Sequence, residues 1–215
     1  MQSLDGPSLE PAAGRADGLV VLLHGYGADG SDLIALAHEW KDLLPRVAFI
    51  APHAPELLAM ADFGGRQWFP LSSRDPSDLW AGVTTAGPLL DAFLDAQLQR
   101  RRLTSDRLAL VGFSQGTMMA LHVGLRRKEP MAAIVGYSGV IAGPERLSAS
   151  PAAPPVLLVH GEIDEVIPVE ALDLTRETLA AQGYLVEWHR RPGLGHGIDQ
   201  VGLALGGHFL RQTLR

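Results

Sequence analysis

The residues best suited to chemistry begin with Gly112-Phe113-Ser114-Gln115-Gly116. A serine flanked by two glycines can sit on a turn too tight for neighbouring side chains, with its hydroxyl exposed. The apolar run Leu108 to Val111 precedes it, and a helix-like run from Thr117 follows. That strand–turn–helix setting is what a nucleophile elbow requires, and it leaves the Gln115 N–H, at the helix start, able to donate to a developing oxyanion. The pentapeptide by itself is equally compatible with a serine that caps a helix.

A serine nucleophile needs a base, and the chain has eight histidines. His196 lies in a glycine-rich loop, Arg191 to Gly197, after the last strand-like run and before the last helix-like one. An elbow predicts its base in such a late loop. His24 and His160 end strands in Leu-Leu-His-Gly and Leu-Val-His-Gly, where a histidine can simply hydrogen-bond a loop. His122 falls on the helix after the elbow and His38 on a surface helix, while His53, His189 and His208 have no comparable setting. For the acid that orients the base, the turn after Val159-His160-Gly161 offers Glu162, Asp164 and Glu165. Asp164 follows Ser114 by 50 residues and precedes His196 by 32. The resulting order Ser, Asp, His is that of α/β-hydrolases, and the two glutamates read as solvated loop charges. A second oxyanion donor is sought after the first clear strand, in His24-Gly25-Tyr26-Gly27, where the Tyr26 N–H is the natural partner of the Gln115 N–H. The same stretch also reads as a glycine turn into a helix capped by Ser31 or Asp32.

The elements that must position these groups alternate. Residues 18–25, 46–52, 107–114, 132–139 and 154–161 are short, nearly continuous apolar runs, and 184–190 alternates more and reads as lying nearer an edge. Apolar runs of that kind mean strands covered on both faces, hence a parallel sheet between two layers of helices. Helical spacing is found over 31–44, about 87–102, 115–127, 169–182 and 200–214. The class is α/β, a single domain over residues 1–215 with a mostly parallel central sheet flanked by helices. Residues 1–17 are expected to form a loosely ordered segment or a short edge strand. The longest irregular stretch, Pro52 to about Gly82, carries Trp68, Phe69 and Trp80 and reads as a functional flap. No insertion large enough for a helical cap separates 137–143 from 154–161, so little or no cap domain is expected.

Composition narrows the partners. The 215 residues carry a formal net charge of -6, which argues against nucleic acid or an anionic membrane surface. Cysteine is absent, excluding disulfides, a thiol nucleophile and thiolate metal sites. The N-terminal stretch lacks the basic and apolar regions of a signal peptide, and no run approaches the roughly 20 apolar residues of a membrane helix. The expectation is a cytoplasmic protein without stable membrane insertion; a homodimer is compatible with it.

Six motifs, LHGYGADGSD, APHAP, RQWF, GFSQG, GEIDEVIP and GLGHGI, together resemble the phospholipase/carboxylesterase family of small α/β-hydrolases, which includes acyl-protein thioesterases and bacterial carboxylesterases. The resemblance covers about residues 18–212, with the motifs in family order. It implies hydrolysis of carboxylic esters or thioesters by a serine triad, with no metal or organic cofactor. Carried over, Ser114 is the nucleophile, Asp164 the acid and His196 the base; Tyr26 and Gln115 supply the oxyanion hole; Trp68 and Val166 line the acyl site. The chain departs from the family in Tyr26, where many relatives have leucine, and in PELLAMADFGG, residues 55–65. The expected function is a carboxylesterase for short- to medium-chain esters acting through an acyl-enzyme. The alternatives are a lysophospholipase or acyl-protein thioesterase and, in a different class, a non-catalytic ligand-binding protein on the same scaffold.

Overall fold

A computed structural model describes residues 4–12, 14–58, 65–71, 73, 75–150 and 152–214. Seven strands form one sheet in the order β1-β3-β2-β6-β7-β8-β9. They are β1 (Ser8–Leu9), β2 (Gly18–Leu23), β3 (Val47–Ile50), β6 (Leu108–Phe113), β7 (Ala133–Tyr137), β8 (Val156–Gly161) and β9 (Val186–Arg191). All neighbours are parallel except β1, which pairs antiparallel with β3 through Ser8–Ile50 and Leu9–Phe49. A separate antiparallel pair, β4 (Glu56–Leu57) and β5 (Arg66–Gln67), lies outside the sheet.

Period-two alternation assigns each strand residue to one of two apolar layers. Leu19, Val21 and Leu23 of β2 join Leu108 and Leu110 of β6 on one face. There they pack with α3 (Pro76–Arg101), α4 (Gln115–Gly124) and α5 (Glu170–Ala181). Val20 and Leu22 with Ala109 and Val111 face the other way, against α1 (Gly30–Leu33), α2 (Ala35–Trp40) and α6 (Gln200–Thr213). Because both faces are covered, β2, β6, β7 and β8 are buried nearly throughout, and their sequences carry no polar alternation. The edge strand β9 has no buried residue, only half-buried and exposed ones, consistent with its place at the edge of the sheet. Between β7 and β8 the described residues hold only a short 3-10 turn, Pro144–Arg146, so there is no cap domain.

Two expectations need correction. The helix over 31–44 is broken into α1 and α2. The helix expected from about Gly87 begins at Pro76, so the irregular stretch is shorter than its glycines and prolines suggest. Asp75 caps the Ser77 N–H and Pro76 sits at the first turn, where its missing N–H costs nothing. Gly82 is not a breaker here: a Cβ at that position would stand 2.2 Å from Phe69 Cδ2, so the glycine lets an aromatic ring press against the helix. Residues 59–64 of the departing segment 55–65 lie outside the described residues, as do residues 1–3 and 13 of the N-terminal segment.

Candidate active site

Ser114 occupies the joint between β6 and α4 with φ 54° and ψ −117°, a backbone conformation that L residues rarely adopt and that is typically sustained at functional sites. The surroundings enforce it. The Ser114 N–H donates across to the Tyr137 carbonyl of β7, and the Ser114 carbonyl accepts from the Thr117 N–H. The Thr117 hydroxyl donates to the same Tyr137 carbonyl. Ser114 makes no side-chain capping bond to the helix, so its hydroxyl is not occupied as a capping serine would be.

His196 and Asp164 meet. His196 Nδ1 lies 2.8 Å from Asp164 Oδ2, with the Asp164 side chain fully buried and the imidazole 18% exposed. Burial pushes the Asp164 carboxyl upward, but the Ile167 N–H, the His196 bond and charge, and the Val166 N–H outweigh it and hold the group below the usual carboxylate range. Both amides donate to Oδ1 at 2.9 Å, leaving Oδ2 for the imidazole. An ionised carboxylate only accepts, so this bond requires the hydrogen on Nδ1. The His196 ring stands 4.9 Å from that of Phe113, the residue before the serine, which places the pair at the elbow. Glu162 and Glu165 make no ion pair among the described residues.

The 24–27 loop passes directly beside the elbow: a Cβ on Gly25 would stand 3.2 Å from Ser114 Cβ. Among the described residues neither the Tyr26 N–H nor the Gln115 N–H donates to another backbone group. Tyr26 and Val166 are 45% and 44% exposed. Trp68 differs from expectation. It is no exposed flap aromatic; its ring is only 2% exposed, within the main apolar layer.

Three polar side chains that sequence reasoning left without a role also belong here. The Gln115 side chain is completely buried: Oε1 accepts from the Trp68 N–H at 2.9 Å and Nε2 donates to the Phe69 carbonyl at 2.8 Å. His24 accepts the Ala54 N–H on Nε2 and places Nδ1 2.8 Å from the Gly25 carbonyl. Burial lowers its pKa, which suits the neutral Nδ1–H tautomer these partners require. His160 Nε2 lies 2.8 Å from the Ile167 carbonyl and 3.4 Å from Asp164 Oδ2, and burial lowers its pKa too. The shared signal was position: both histidines end parallel strands next to a loop.

A parallel sheet between helical layers, with a serine elbow, an aspartate and a histidine at one edge, defines the α/β-hydrolase class. The phospholipase/carboxylesterase family model matches residues 4–214. The chain belongs to that family and is an ester hydrolase. It is 30% identical to acyl-protein thioesterase 1 of Gibberella zeae over 97% of this chain and 95% of the other. Among solved structures, the esterase PE8 is 45% identical with a TM-score of 0.94, covering 99% of this chain and 100% of that one. The Bacillus cereus carboxylesterase, at 16% identity and TM-score 0.78 over 98% and 94% of the two chains, shares the fold. No described helix is long and apolar enough to cross a membrane.

Proposed function

We propose that the chain is a serine carboxylesterase acting on short- to medium-chain esters through an acyl-enzyme. The observation that carries this reading is the His196–Asp164 bond beside a serine held at positive φ. Ser114 Oγ attacks the ester carbonyl as His196 Nε2 takes its proton, and Asp164 holds the imidazolium. The Tyr26 and Gln115 N–H groups donate to the oxyanion, each worth roughly 3 kcal/mol. His196 then returns the proton to the leaving alkoxide, and takes one from the water that cleaves the acyl-enzyme and regenerates Ser114.

The chain-length preference rests on the openness of the site. A cavity of about 400 Å³ lies against Trp68, Phe69, Pro70, Gly82 and Leu89, yet Ser114, Asp164 and His196 do not line it. With no cap domain among the described residues between β7 and β8, a long acyl chain gains little burial there. A second reading, acyl-protein thioesterase, is favoured by the name of the Gibberella zeae relative. A series of p-nitrophenyl esters of graded chain length, run beside an acyl-thioester, tests both: kcat/KM should peak at short or medium chains and favour the oxygen ester. A fluorophosphonate probe should label wild type and not Ser114→Ala, which should lose turnover while remaining folded. Turnover by Ser114→Ala near the wild-type rate would end the serine mechanism.

A further inference from the structure

We propose that Trp68 and the side chain of Gln115 are positioning residues, a brace that holds the two oxyanion donors in register; this rests on the oxyanion hole proposed above. The two donors come from segments far apart in sequence, the loop after β2 and the start of α4. Oxyanion stabilisation depends on both N–H groups being fixed before charge develops, so something must tie the segments together.

Trp68 makes that tie with two different groups. Its backbone N–H donates to Gln115 Oε1 at 2.9 Å, and its indole Nε1–H donates to the His24 carbonyl at 2.9 Å. One residue thus hydrogen-bonds both Gln115, whose N–H is one donor, and His24, two residues before Tyr26, whose N–H is the other. The indole also lies 5.5 Å from the His24 imidazole, centroid to centroid. Gln115 fits its half of the brace because a primary amide presents an acceptor and a donor at one end. With Oε1 on Trp68 N–H and Nε2 on the Phe69 carbonyl, its head is fixed in plane as well as in distance. Neither a carboxylate nor a hydrocarbon of that length could make both bonds.

The far side of the loop is tied as well, so the brace works against a held object. Gly27 N–H donates to the Arg66 carbonyl at 2.9 Å and Arg66 N–H to the Ala28 carbonyl at 3.0 Å. The His24 ring bonds to Ala54 and Gly25. Gly116 of α4 already packs closely on the Leu23 and His24 carbonyls, and Trp68 adds a hydrogen-bonded span across the same gap. Its nearly complete burial excludes water that could replace the bonds.

The test uses Trp68→Phe, which keeps an aromatic ring but removes the indole N–H, and Gln115→Met, which keeps length but removes both polar ends. On a short p-nitrophenyl ester, kcat should fall about tenfold for Trp68→Phe and about a hundredfold for Gln115→Met, with KM within twofold. A trifluoromethyl ketone, whose serine adduct places an oxyanion in the hole, should lose affinity by the same factors. Inhibition by the product carboxylate should stay unchanged. The double variant should be no slower than Gln115→Met, because a brace cut once is already cut. Wild-type kcat and ketone affinity in Trp68→Phe overturn the proposal, whether or not Gln115→Met folds. A raised KM at constant kcat also overturns it, since that is the loss of a substrate wall. Ser114→Ala separates the two levels of inference: if it is inactive while Trp68→Phe is normal, the brace is wrong and the triad stands. If Ser114→Ala turns over, the function beneath the brace is wrong.

Discussion

Gly116 and Gly197 each directly follow a site residue, Gln115 and His196, yet alanine should be damaging at the first and nearly neutral at the second. A Cβ on Gly116 would stand 1.8 Å from the Leu23 carbonyl oxygen and 2.8 Å from that of His24. Real Cβ atoms essentially never approach within 3.0 Å, so α4 and the end of β2 must separate by about 1.2 Å or more. Both contacts are backbone, and no flexible side-chain end can yield. The displacement pushes the Gln115 N–H away from the 24–26 loop, and a misplacement of about 1 Å costs about a hundredfold in rate. Overpacking against backbone should cost about 3 kcal/mol, or about 6–12 °C in Tm for a chain of this size. Helix propensity alone predicts the reverse, a gain of up to about 1 kcal/mol from alanine, so even the sign is informative. A Cβ on Gly197 meets nothing within 4 Å, and Gly197→Ala should stay within about threefold of wild type in kcat/KM, which for so small a change is about 0.6 kcal/mol. The assay is kcat/KM on a short p-nitrophenyl ester with a thermal melt for each variant. Gly116→Ala with wild-type Tm and kcat would refute the close-approach reasoning.

Three further outcomes follow from the side-chain chemistry. Asp164→Asn should lower kcat by about 10⁴-fold by favouring the wrong His196 tautomer, whereas Glu162→Gln and Glu165→Gln should change it by less than about twofold, because neither forms an ion pair among the described residues; steady-state kinetics on the three variants would expose a wrong acid. The buried histidines should make the fold acid-sensitive. Burial lowers the pKa values of His24 and His160, and lowers that of His122 to about 4 with Arg126 adding to the effect. Each is depressed from 6.5, so its contribution is fully present above about pH 6.5 and is lost as pH falls toward the folded-state value; urea melts at pH 7.5, 5.5 and 4.5 should show a progressive decline. The Asp164 contribution, also from a depressed pKa, should persist through that window and be lost only below about pH 4, which urea melts extended to about pH 3 would show as a further decline.

Much of the arrangement was legible in the chain because it is written in local pattern. Near-continuous apolar runs can be buried on both faces only in a covered parallel sheet, and a serine between glycines after such a run lies at the strand's C-terminal end. Asp164 and His196 could be picked because each sits in the turn following a strand, and in a parallel sheet those turns gather at one edge. Contacts through space carry no such periodic mark. Nothing near Trp68 in sequence announces that its ring is buried or that its two N–H groups reach Gln115 and His24, 47 and 44 residues away. Gly82 reads as a loop residue until the Phe69 ring is seen packed against it. Gly116 and Gly197 carry the same side chain, a single hydrogen, and what separates them is how closely Leu23 and His24 approach one and not the other. Strand and helix follow from the order of neighbours along the chain, whereas the fit of the oxyanion loop against the elbow follows from distances between elements, which are set only when both layers of the core close.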